Sequence, residues 1–95
     1  MAKDLVKEFL EFHKKNPRVY DLFKSFTRRA IESGRKNFGV SAVWERMRWE
    51  MEIELHPSAD PFKLNNNHRA YYARLFMADH PEHAGFFRTR RVRGL

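Results

Sequence analysis

Imidazoles and carboxylates crowd the stretch Asp79-His80-Pro81-Glu82-His83, and His68 stands upstream of it. Histidine and carboxylate together can hold a metal ion or move a proton. A metal-dependent nuclease using His68, His80, Glu82 and His83 is the enzyme such residues would allow. Pro81 counts against it, because a proline breaks the helix that would set His80 and His83 on one face. The spacing also matches no metal-ligand motif. His80 reads more simply as a helix-end residue whose ring meets free carbonyls. The chain has no glycine-rich phosphate loop and no nucleophile elbow, and its four glycines do not cluster. With no cysteine, thiolate chemistry and disulfides are excluded. No catalytic residue, metal or cofactor is expected, and the protein reads as a non-enzyme.

Positive charge is the stronger signal. The net charge is +7 and the pI is near 10.1, a balance that favours polyanionic partners. Residues 16–48 carry eight Lys and Arg against three acids, residues 88–95 add four Arg, and the acids gather in 45–60. A merely solubilising surface need not separate charge along the chain in this way. Such cations neutralise phosphates and release counterions, which makes binding salt-dependent. The candidate nucleic-acid-binding residues are Arg35, Lys36, Arg46, Arg48, Arg69, Arg88, Arg90, Arg91 and Arg93. DNA is expected ahead of RNA.

Aromatic residues make up 15% of the chain, nine of them Phe, enough large rings to fill a small core. At helical spacing most rings belong to that core. Trp44 and the pair Phe86-Phe87, which borders the Arg-rich end, are the expected exceptions. As exposed rings they would serve a protein partner, and they are the candidate partner-binding residues.

Helices must position these groups. Leu5, Val6, Phe9, Leu10 and Phe12 predict an amphipathic helix over 2–15. Asn16-Pro17 predicts its end and the N-cap of a second helix over 17–33, stopped by Gly34. Residues 35–40 read as a basic loop or short strand. Ser41 is the expected cap of a third helix over 42–48. Trp49, Met51, Ile53 and Leu55 then alternate with Glu50, Glu52 and Glu54, which predicts a strand. A helix continuing through Trp49 to Ile53 competes with it, since Glu and Met favour helix. Phe62-Lys63-Leu64 would return as the second strand of a hairpin. Asn65, Asn66 and Asn67 are candidate caps for a helix over 68–78, ended by His80-Pro81, and 82–87 reads as a further short turn.

The fold class is therefore mostly α: a compact helical domain with a small β-hairpin near 49–64. Residues 1–87 form this single domain and 88–95 an Arg-rich C-terminal tail. Three helices followed by a hairpin is also the order of a winged helix-turn-helix, in which helix 41–48 would enter the major groove. Three features weigh against that arrangement: the length of helix 17–33, the long connection 34–40 and the acidic face of the strand. The N-terminal residues carry recurrent charge and no signal-peptide core, and the longest uncharged run, Asn37 to Trp44, is far too short to span a bilayer. A cytoplasmic protein without a membrane partner is expected. A homodimer is compatible with so small a domain.

The strings His13-Lys-Lys-Asn-Pro-Arg-Val-Tyr20, Arg46-Met-Arg-Trp49, Tyr71-Tyr-Ala-Arg-Leu-Phe-Met77 and His80-Pro-Glu82 resemble a group of small uncharacterised basic proteins encoded by bacteriophages and prophages. The resemblance covers most of the chain. It implies a bacterial host cytoplasm and a role in gene regulation, DNA metabolism or interference with a host system, and it assigns no site residues. The combined expectation is a nucleic-acid-binding regulatory or accessory protein. The alternative is a protein-interaction module that inhibits or redirects a host or defence protein.

Overall fold

Asp4 starts the first helix. Its Oδ1 accepts the Lys7 backbone N–H at 3.0 Å, and α1 runs over Leu5–Lys15 with Phe9 turned into the core. The computed structural model describes residues 4–54 and 64–88. Asn16-Pro17 makes the first corner, though not by the expected cap. The backbone N–H and Nδ2 of Asn16 both donate to the Phe12 carbonyl, at 2.9 and 3.0 Å. Asn16 thus closes α1. The second helix, α2 (Pro17–Glu32), begins without a side-chain cap, on a proline that lacks one of the four N–H groups a first turn leaves unpaired. Val19, Tyr20, Phe23 and Thr27 are its buried stripe. Gly34 closes it at φ 96°, a left-handed conformation that a side chain would strain, with its N–H on the Ile31 carbonyl at 3.0 Å.

Residues 35–39 form a loop, held at one point. Phe38 pairs with Phe87 in an isolated parallel bridge, and the Phe38 N–H donates to the Phe86 carbonyl at 2.9 Å. The third helix, α3 (Val40–Trp49), starts ahead of Ser41, which therefore lies inside it and caps nothing; Gly39 occupies the cap position. Val40, Val43, Trp44 and Met47 form its buried stripe at helical spacing.

The predicted hairpin is overturned. Residues Glu50–Glu54 continue α3 as a π-helical turn, and no strand is found among the described residues. The return strand at 62–64 falls largely outside them; Leu64 is buried and belongs to no regular element. A strand would set Trp49, Met51 and Ile53 on one face. Instead Met51 is 7% exposed while Trp49 and Ile53 are 53% and 52% exposed. Arg46–Glu50 and Arg48–Glu52, each 3.4 Å apart at i,i+4, support the helical course. Among the described residues there is then no wing, and the winged-helix arrangement is not supported.

Asn65 caps the next element through its own side chain, accepting the Asn67 N–H at 2.9 Å. A 3-10 turn (Asn66–His68) leads into α4 (Arg69–Asp79), which buries Tyr71, Tyr72, Ala73 and Phe76. So broad a buried face makes α4 the central helix, touching both α2 and α3. The ring of Tyr72 lies 4.8–5.9 Å from those of Phe9, His13, Tyr20, Phe23 and Trp44. His80-Pro81 ends α4 as expected, a 3-10 turn covers Pro81–His83, and Phe86-Phe87 folds back onto Phe23 and Phe76.

Candidate functional site

The bridge between Phe38 and Phe87 joins two basic segments that lie far apart in sequence. It is anchored by burial: Phe87 packs on Phe23 at 5.5 Å and on Phe86 at 5.1 Å. With Phe38 fixed to that pair, exposed Arg35 and Lys36 are held beside the 85–88 segment, and exposed Arg88 follows the bridge. Among the described residues none of these three cations has an ion-pair partner. Of the sequence candidates, Arg35 and Lys36 thus lie beside Gly85 and Phe86, and Arg88 flanks the bridge on its other side. Arg90, Arg91 and Arg93 lie outside the described residues.

The other candidates stand elsewhere. Arg46 is 3.4 Å from Glu50 and lies over the Phe26 ring at 5.2 Å. Arg48 is half-buried and holds Glu45 at 3.3 Å, Glu52 at 3.4 Å, the Leu64 carbonyl at 3.3 Å and the Asn66 side chain. Its partners tie α3 to the segment that enters α4, a structural task. Arg69 opens α4, two turns before Phe76, the residue of that helix on which Phe87 packs.

The expected partner-binding surface is corrected outright. Trp44 is fully buried, and Phe86 and Phe87 are nearly so. A helix stripe at i,i+3,i+4,i+7 turns Trp44 inward, and the bridge turns the Phe pair inward. Among the described residues the exposed large apolar ones are Leu10, Trp49 and Ile53.

A groove adjoins the bridged cations. It consists of two neighbouring depressions of about 390 and 320 Å³ that share Ile31, Glu82 and His83 as walls. Arg28, Glu32, Phe76 and His80 line the first, and Arg35, Lys36, Gly85 and Phe86 the second. Arg28, Ile31, Glu32 and Arg35 recur at helical spacing. That pattern is the sequence signal for this face, hidden because Ile31 also fits the core stripe. His80 stacks on Phe76 at 4.3 Å, and its Nδ1 lies 3.0 Å from the Phe76 carbonyl, the helix-end role expected of it.

His68 has a different fate from His80 and His83. It is buried at the start of α4 against Phe9 and Phe12, with ring centroids at 5.8 and 4.8 Å. Burial pushes its pKa below the ordinary imidazole value, and Glu8 opposes that in part. Helix α4 separates it from His80, so the nuclease constellation is not assembled. Among the described residues no three His, Asp or Glu side chains gather as metal ligands. No helix among them is long and apolar enough to cross a membrane. Comparison with known families, curated proteins and solved structures finds no match to this chain.

Proposed function

We propose that this chain is a nucleic-acid-binding accessory or regulatory protein of bacteriophage type, acting without catalysis in a bacterial cytoplasm and preferring DNA to RNA. The observation that supports this reading is the Phe38–Phe87 bridge, which is flanked by exposed cations, Arg35 and Lys36 before Phe38 and Arg88 after Phe87. Among the described residues these cations form no ion pair, so their charge is available to phosphates. Fluorescence anisotropy with labelled DNA across a salt series tests the reading. Affinity that falls linearly on a log–log plot against salt supports it, and absence of binding even at low salt refutes it.

A second reading, a module that inhibits or redirects a host or defence protein, draws on Trp49 and Ile53. Both are exposed, one turn apart at the end of α3. Exposed aromatic and branched side chains so placed suit a protein contact better than a phosphate. Capture of a host protein that is lost on Trp49→Ala, with DNA binding absent, would favour it.

A further inference from the structure

The groove beside the bridge differs from the neighbouring basic depression lined by Lys24, Arg28 and Arg29 in that it contains histidine. Arg28 enters it from α2 and Arg35 and Lys36 from the following loop, with Ile31 at its floor. Glu32 and Glu82 oppose them. With neutral imidazoles the three cations outweigh the two carboxylates by one charge; with His80 and His83 both protonated the excess rises to three. The charged groups near the two rings are Arg28 and Glu32 from α2, Arg35 and Lys36 from the loop, and Asp79 and Glu82 from their own turn.

The hydrogen-bond geometry of His80 says how its proton acts. Nδ1 lies 3.0 Å from the Phe76 carbonyl, an acceptor only, so Nδ1 keeps its hydrogen in the neutral and the charged ring alike. Nε2 is then the ring atom left to meet a ligand. Deprotonated it is an acceptor that repels a phosphate oxygen; protonated it is a charged donor. His83 has no hydrogen bond through its ring among the described residues and lines both halves of the groove.

We infer that this groove is a phosphate-binding site that seats the backbone of a single nucleic-acid strand, with Arg28, Arg35 and Lys36 as fixed cations and His80 and His83 as proton-gated ones. This rests on the nucleic-acid reading above and narrows it. A flexible strand can follow a concave, positively charged path, whereas a stiff duplex reaches only its rim. A protonated ring adds positive charge to the groove, so the grip strengthens as pH falls.

The test has two arms on the full chain. In the first, sodium pyrophosphate is titrated while the imidazole carbon-bound protons are followed by NMR at about pH 5.5 and about pH 8. The His80 and His83 signals should move saturably, with about tenfold tighter binding at the lower pH, and the His68 signals should stay in place. In the second, oligothymidylate of about twelve nucleotides replaces pyrophosphate. It should move the same signals at lower concentration and outcompete a duplex of equal length. His83→Gln should weaken binding of both ligands and remove part of its pH dependence. His80→Asn, which retains a donor toward the Phe76 carbonyl, should do likewise.

If DNA binds but neither ligand moves the His80 or His83 signals, the groove proposal is overturned and the wider nucleic-acid reading survives. Pyrophosphate binding here with no binding of the oligonucleotide upholds a phosphate site and overturns the strand as its source. Equal pH dependence in both variants and the parent chain overturns proton gating.

Discussion

The hydroxyl of Tyr20 donates a 2.6 Å hydrogen bond to Oδ2 of Asp79, joining the first turn of α2 to the last residue of α4. The bond lies next to His80, the residue that ends α4 and opens the His80–His83 turn. It therefore fixes how the end of α4 stands against α2, the two elements that form the groove.

Tyr20→Phe removes only this bond. Its acceptor is charged but exposed, so the loss should be about 1 kcal/mol, read from the urea midpoint. Burial, then the hydrogen bond and the charge of Asp79, raise the Tyr20 phenol above its ordinary value, with Arg28 opposing. Burial raises Tyr72 as well. The folded chain thus holds these protons more tightly than the unfolded one. Stability from this source is complete below about pH 10 and falls as pH rises beyond it. The alkaline loss should be shallower in Tyr20→Phe than in the parent chain.

At His68 the sign is opposite. Its folded-state value is depressed, so the unfolded chain takes up the proton first. Stability is full above about pH 6.5 and declines as pH falls below that value. Neither ring nitrogen is hydrogen-bonded among the described residues. His68→Leu should therefore flatten the acid side of the profile without lowering stability at neutral pH. Urea midpoints measured from about pH 5 to about pH 8 would show this, and an unchanged acid slope would contradict it.

Trp44 tests the core. It is fully buried between α2 and α4, and its indole N–H has no hydrogen-bond partner among the described residues. Trp44→Ala should cost about 3–5 kcal/mol, a large share of the stability of so small a domain. Trp44→Phe should lose clearly less, because the unpaired N–H leaves with the ring. Thermal unfolding of both variants measures the difference.

The helices that were legible in the sequence are those whose apolar stripe is continuous. Phe9 on α1, Val19, Tyr20 and Phe23 on α2 and Tyr71, Tyr72 and Phe76 on α4 are buried as their spacing indicates. The alternation from Trp49 to Leu55 misled because only Met51 of the described apolar residues there is buried. The pairs Arg46–Glu50 and Arg48–Glu52, set four apart, carried the helical signal. At the candidate site, Arg35, Lys36 and Arg88 were legible as charge. That they flank one bridge was not, because the bridge is a single long-range pairing with no local signature. The burial of Phe86 and Phe87 was hidden for the same reason.

Arg48 and the bridged cations should separate in experiment. Arg48→Ala breaks its contacts with Glu45, Glu52, Leu64 and Asn66 and should cost about 1–2 kcal/mol of stability. It should leave affinity for nucleic acid nearly unchanged once the fraction folded is taken into account. Paired denaturation and binding measurements on this variant would show whether the residue is structural.

The most direct measurement is the salt dependence of DNA binding by the parent chain and by a variant carrying Arg35→Gln, Lys36→Gln and Arg88→Gln together. These side chains are exposed, so the variant should fold as the parent does. Its affinity should fall, and the slope of log affinity against log salt should shrink by about 2–3, one phosphate contact per cation removed. A variant that binds with the parent's affinity and slope would place the interface elsewhere and contradict the account.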